Sequence, residues 1–178
     1  MSKKRQDLVE HAEKLFYENG FHAIGLKRIV NEAGVALMTL YNHFDSKEAL
    51  ILEVLNNREK RYFSFLDAAV AGKSTRDIAQ NAQLLAQSHI QWLRSDGTNG
   101  CMFLRAKEEY SFENEQIVNQ AVAHKHSLRS YFLELGFSQK HAIQLAMLFE
   151  GATALAEVLD VDDVANELNN MTETLFKE

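Results

Sequence analysis

Residues 25–48, GLKRIVNEAGVALMTLYNHFDSKE, constrain the fold more than any other stretch. Leu26, Ile29, Val30 and Ala33 recur at i, i+3, i+4 and i+7, which is one face of a helix. Gly34 follows directly and can take the positive φ that ends it. Val35, Leu40 and Phe44 then start a new apolar face, with Thr39, Tyr41, Asn42 and His43 pointing elsewhere. Two short helices joined through a glycine describe one of two things. One is a helical hairpin inside an all-α core. The other is a helix-turn-helix, whose second helix lies in a DNA major groove. Here that second helix would run over about 36–43, and Asp45 or Ser46 would cap the next.

The rest of the chain reads as helix throughout. It has no proline and no alternating β-branched run, so the class is all-α. A first helix over 3–19 carries Leu8, Ala12, Leu15 and Phe16 on one face and stops at Gly20. The fourth helix runs from 47 to about 70. Residues 72–75, Gly-Lys-Ser-Thr, look like the tail of a phosphate-binding loop, but the upstream glycine would be residue 67, which is Asp67. Helices follow over about 75–95, 101–112 and 113–135. Residues 142–159 are apolar nearly all round and must be buried on most sides. One face would pack on the chain's own body and the other on a partner, where Gly151, Ala152 and Ala154 allow close approach. A last helix over 161–176 has a single stripe that includes Val161, Val164, Leu168, Met171 and Leu175. That makes about nine helices.

Charge is unevenly placed. The 178 residues carry a net charge of −6. Residues 1–50 hold 7 Lys or Arg and 7 Asp or Glu, while the remainder holds 12 and 18. The run Lys3-Lys4-Arg5 gives a neutral head a basic tip, which reads either as a solvated terminus or as a contact for phosphates. Cys101 is the only cysteine, so an intramolecular disulfide is impossible and a reducing compartment fits. The first residues are charged without an apolar core, and 142–159 is interrupted by Gln144, Glu150 and Glu157. The expectation is a soluble cytoplasmic protein with no membrane span.

Ala33-Gly34-Val35, Thr39-Leu40-Tyr41, His43-Phe44 and Ser46-Lys47-Glu48, in that order, resemble the DNA-binding signature of the tetracycline-repressor (TetR) family. The stretch GCMFLRAKEEYS, followed by His124-Lys125 and Leu128-Arg129, also looks like the regulatory half of one TetR subgroup. The resemblance implies a ligand-responsive transcriptional regulator, a repressor that a small molecule releases from a palindromic double-stranded DNA operator. It implies a homodimer, with residues 1–46 as DNA-binding domain and 47–178 as ligand-binding and dimerisation domain. It places Lys27, Ala36, Leu37, Met38, Thr39, Tyr41, Asn42, His43 and Lys47 at the DNA. Lys47 reads otherwise as plainly solvent-exposed, and Leu37 as packed inward. Where relatives usually carry Ser or Thr, this chain has Ile24 and Gly25, which weakens the helix cap. Relatives often carry Lys or Arg where this chain has Leu37, and glycine where it has Met38.

The expected effector contacts are Phe63, Leu66, His89, Trp92, Phe103, Lys107, Tyr110 and Phe149, a largely apolar and aromatic set suited to a molecule with one polar group. His89 among apolar neighbours reads equally as a hydrogen-bonded core histidine. Of Glu108 and Glu109, about 100° apart on a helix, at most one faces inward. The dimer contacts are expected at Ala152, Leu155, Leu168, Met171 and Leu175. No catalytic triad, cofactor loop or metal-binding pair stands out. His124 and His126 diverge by about 200° on a helix, so no metal or cofactor is expected and an enzyme is disfavoured. A helical interaction module that does not bind DNA remains the alternative, supported by the net acidity.

Overall fold

The computed structural model describes residues 2–74 and 76–177. Among these there are nine helices and no strand. They are α1 (Lys3–Asn19), α2 (Leu26–Glu32), α3 (Leu37–Tyr41), α4 (Lys47–Val70) and α5 (Ile78–Asp96), then α6 (Met102–Glu109), α7 (Glu115–Glu134), α8 (Gln139–Leu155) and α9 (Val161–Phe176). No helix is long and apolar enough to cross a membrane.

The chain divides into two compact units. The first comprises the residues up to Glu59 together with Met102–Ala123, and the second comprises Lys60–Cys101 and everything from His124 onward. In the first unit, α1 packs on α2 and α3, and α2 on α3. Its core buries Leu8, Ala12, Phe16, Phe21, Ile24, Ile29, Leu40, Leu50, Ile51 and Leu55. Ser2 caps α1 by accepting from Arg5 N, and Ser46 caps α4 by accepting from Ala49 N at 3.1 Å. A charged pair is buried within this unit: Arg58 Nη1 donates to Glu13 Oε1 at 2.8 Å, and its guanidinium lies 4.5 Å from the centre of the Tyr17 ring. Removing either partner would take a charge-assisted hydrogen bond from a buried charge.

In the second unit, α5 packs on α9 and α8, and α8 on α9. Its core runs through Leu66, Leu85, Ile90, Trp92, Phe132, Leu145, Phe149 and Leu168. Several helix ends differ from the sequence expectation. The helix expected from about residue 75 starts at Ile78, where Asp77 accepts from Gln80 N at 3.0 Å; Thr75 lies outside the described residues. The helix expected over 101–112 stops at Glu109, and a chain of turns bonds Ser111 N to Glu108 O and Glu113 N to Tyr110 O. Asn114 then caps α7 by accepting from Ile117 N. The apolar run 142–159 does not form one helix. α8 ends at Leu155, and its backbone closes into turns, with Leu159 N bonded to Leu155 O at 2.8 Å. Within that run Ile143, Met147, Leu155, Val158 and Leu159 are exposed in the single chain.

Candidate nucleic-acid interface

The turn between α2 and α3 is built from backbone bonds. Ala33 N donates to Ile29 O at 2.9 Å and Val35 N to Val30 O at 3.0 Å, which folds the chain back over the end of α2. Gly34 between them has φ +63, and a Cβ there would meet nothing within 4 Å, so conformation rather than space selects glycine. Ala36 then starts α3 without a side-chain cap.

Leu40 is fully buried and anchors α3 to the core. At about 100° per residue, Met38 and Asn42 stand roughly opposite Leu40, with Tyr41 beside them. The burial pattern follows. Met38 is 70% exposed and Tyr41 49%, and Ala36 and Asn42 are exposed, while Leu37, Thr39 and His43 are half-buried. His43 Nε2 lies 3.4 Å from Ser2 Oγ. Lys27 and Arg28 on α2, and Lys3 and Lys4 at the start of α1, are exposed. Arg5 is not free to join them, because it pairs with Glu53 at 2.8 Å and lies over the Phe44 ring. The exposed side of α3 therefore presents hydroxyl, amide and thioether groups, and cations lie on the neighbouring helices. That chemistry suits a polyanion with polar and methyl groups in its groove.

Lys47 is placed differently from the rest. It is half-buried, and its Nζ donates to Phe21 O at 2.6 Å near the Phe16 ring. Burial lowers its pKa, opposed by Glu48, Glu109 and Glu113. Its ammonium is thus engaged on the α1–α2 turn. Glu109 of α6 holds the same turn. Its Oε1 accepts from Phe21 N at 3.0 Å and its Oε2 from His22 N at 2.7 Å, while His22 Nε2 lies 2.8 Å from Glu109 O. The His22 ring stacks on Tyr110, and Arg105 Nη1 donates to Tyr17 O at 2.7 Å. Nothing in the sequence placed Glu109 here, since the contact spans 88 residues.

The expected effector residues do not lie together in one unit. Phe103, Lys107 and Tyr110 belong to the first unit, where Phe103 and Tyr110 are buried and Lys107 is exposed. Phe63, Leu66, His89, Trp92 and Phe149 belong to the second. There His89 Nδ1 lies 2.9 Å from Tyr62 Oη, and its Nε2 lies 3.1 Å from both Phe149 O and Thr153 Oγ1. Its ring stacks on Phe149 at 4.4 Å. Burial lowers its pKa to about 4, and burial likewise pushes the Tyr62 phenol well above its ordinary range. A neutral imidazole with Nε2–H donating to Phe149 O and Nδ1 accepting from Tyr62 satisfies every group, which is the hydrogen-bonded core histidine of the two sequence readings. Sequence reasoning also missed Lys125, which pairs with Glu150 at 2.7 Å and donates to Cys101 Sγ at 3.1 Å. A groove of about 700 Å³ at the start of α5 and the end of α9 is lined by none of the expected effector residues. Among the described residues, no group of three or more His, Cys, Asp or Glu is placed to hold a metal ion.

Of the expected dimer residues, Ala152 and Leu168 point into the second unit's own core, and Leu175 is half-buried. Leu155 and Met171 are exposed.

Comparison with known proteins gives this geometry its family. The description "Bacterial regulatory proteins, tetR family" matches residues 8–54, from within α1 to the first turns of α4. The HTH-type transcriptional activator FasR of Mycolicibacterium smegmatis is 28% identical over 120 residues, covering 67% of this chain and 50% of that protein. The HTH-type transcriptional repressor KstR2 of Rhodococcus jostii is 41% identical over 54 residues, 30% of this chain and 26% of that protein. These matches span half or less of each relative's length. The crystal structure of SCO4454, a TetR-family transcriptional regulator from Streptomyces coelicolor, superposes with a TM-score of 0.87 at 28% identity, covering 97% of this chain and 93% of that one. By these likenesses the helix-turn-helix segment and the fold of this chain are similar to those of TetR-family transcriptional regulators, a family of regulators rather than enzymes.

Proposed function

We propose that this regulator acts in the cytoplasm as a homodimeric repressor that a small molecule releases from a palindromic operator. Residues 1–46 would read DNA, with Lys27, Ala36, Met38, Thr39, Tyr41 and Asn42 facing the duplex. Residues 47–178 would bind effector and partner. TetR-family regulators are generally dimeric and respond to small-molecule effectors, which supports both finer statements. Related proteins carry both activator and repressor in their names, so repression rests on the reading of the family.

The observation that carries the dimer is an outward apolar row. Ile143, Met147, Gly151, Ala154 and Leu155 recur along α8 at spacings of three, four or one, and all are exposed. Val158 and Leu159 after α8 and Met171 on α9 are exposed as well, with Met147 69% and Val158 77% exposed. A contiguous apolar surface rimmed by polar residues marks an interaction site. The interface therefore uses Leu155 and Met171 from the sequence expectation, whereas Ala152 and Leu168 stabilise the chain itself. An effector would meet Phe63 and Trp92 in the second unit, and α4, which contributes to both units, would connect it with the head. Sedimentation tests the dimer directly. The wild type should run as a dimer, and Met147→Arg, which places an unpaired charge in the contact, should give monomers with lost operator binding. Unchanged dimers in that variant would put the interface elsewhere. A compound that shifts Trp92 fluorescence and lowers operator affinity in parallel would identify the effector.

A further inference from the structure

Two large apolar side chains stand exposed at the DNA-reading end. Among described residues up to Glu59, only Met38 and Tyr41 are large hydrophobics with substantial exposure, and both lie on the outward side of α3. Tyr41 carries a hydroxyl for a phosphate. Met38 carries no donor, and its thioether is at most a weak acceptor. Leu37, its neighbour, is half-buried and Leu40 fully so, which leaves Met38 as the apolar tip of this helix. Lys27 and Arg28, on the helix α2 that packs against α3, are exposed cations. A single side chain of this kind needs an apolar partner of about one methyl group.

We propose that Met38 reads thymine through the C5-methyl group in the major groove, so that the operator carries a thymine under this residue in each half-site. The inference rests on the assignment of α3 as the groove-reading helix. Each base shows a distinct pattern on that edge, and thymine alone of the four offers a methyl group. Cytosine would set its N4 amino group against a side chain that cannot accept well, and adenine or guanine would set N7 there. Each of those leaves a polar atom desolvated without a partner. Methionine's flexible, polarisable chain fits against the methyl without demanding one rotamer.

The test starts from duplexes that the wild-type protein enriches out of a random pool. Replacing the thymine under Met38 by uracil deletes only the methyl group. Loss of one buried methyl should weaken wild-type binding about three- to fivefold per thymine. Met38→Ala should bind thymine and uracil duplexes equally, because its side chain no longer reaches. Met38 is exposed, so this substitution leaves the core intact. Tyr41→Phe serves as the contrast: it should weaken both duplexes alike and keep the thymine-to-uracil ratio. Equal wild-type affinity for the two duplexes overturns the methyl contact and leaves the groove-reading assignment standing. An unchanged ratio in Met38→Ala gives the contact to another residue and overturns the proposal as well. Failure to enrich any duplex overturns the DNA-reading assignment and the methyl contact together.

Discussion

Glu109→Ala removes both carboxylate oxygens that hold the α1–α2 turn. The bond to Phe21 N is partly buried, and the one to His22 N is exposed. A hydrogen bond to a charged group contributes about 1.5–3 kcal/mol, and the exposed bond falls at or below the low end of that range. The pair together should contribute about 2–4 kcal/mol, and Phe21 N–H would lose its acceptor beside a buried ring. Glu109→Gln keeps one carbonyl oxygen and loses the charge, so about half of that should remain. The effect should be local, because the turn leads directly into α2 and α3. Amide exchange therefore separates it from general destabilisation: the amides of Phe21, His22 and α2 should lose protection, while those of α5 and α9 keep theirs. Operator affinity should fall with the same order, Ala below Gln below wild type. Gly20 supplies a cross-check. A Cβ there would lie 3.0 Å from Glu109 Oε1, and the φ of +86 already disfavours a side chain. Gly20→Ala and Glu109→Ala should then combine to less than the sum of their separate effects. Protection and affinity both unchanged in Glu109→Ala would refute the idea that this carboxylate positions the head.

Two further perturbations follow from buried groups. Glu13→Ala removes the 2.8 Å charge-assisted bond to the buried Arg58 and should cost about 1.5–3 kcal/mol by urea unfolding, more than Arg5→Ala at the more exposed Arg5–Glu53 pair. His89 is held at about 4 in the folded chain against about 6.5 unfolded. The unfolded chain thus binds the extra proton between those values, so stability present above pH 6.5 is lost as pH falls towards 4. The loss from this group between pH 7 and 5 should be about 2 kcal/mol, and His89→Gln should flatten that part of the pH profile.

Legibility in the sequence followed the range of the forces. α1 and α9 match their expected spans because each has a single apolar stripe and a local cap, Ser2 for α1 and Asp160 for α9. α6 and α8 end early because Tyr110 and the apolar residues after Leu155 continue the pattern while the backbone turns; composition cannot register that. The helix-turn-helix was readable because Gly34 and the Leu40 anchor act within a few residues. Lys47 was placed at a phosphate by its position at a helix start, but Phe21 O, 26 residues away, engages its ammonium. Glu108 and Glu109 were known to diverge. Glu109 turns inward and meets backbone N–H groups. Ala152 and Leu155 share one apolar helix, and only the packing of α5 and α9 decides which of them faces the core. For His89 the apolar neighbours in sequence fit either role, and Tyr62, Phe149 and Thr153, which occupy both ring nitrogens, come from distant parts of the chain.

The central claim is that α3 reads a duplex with help from the cations around it. An equilibrium titration of an enriched duplex and a scrambled one across salt concentration tests it most directly. The account predicts that log K falls linearly with log salt, by about 0.9 for each phosphate neutralised. It also predicts that the enriched duplex stays tighter by about 10³-fold or more, a ratio that Thr39→Ala and Tyr41→Phe leave in place while lowering both affinities. Equal affinity for the two duplexes, or binding indifferent to salt, would contradict it.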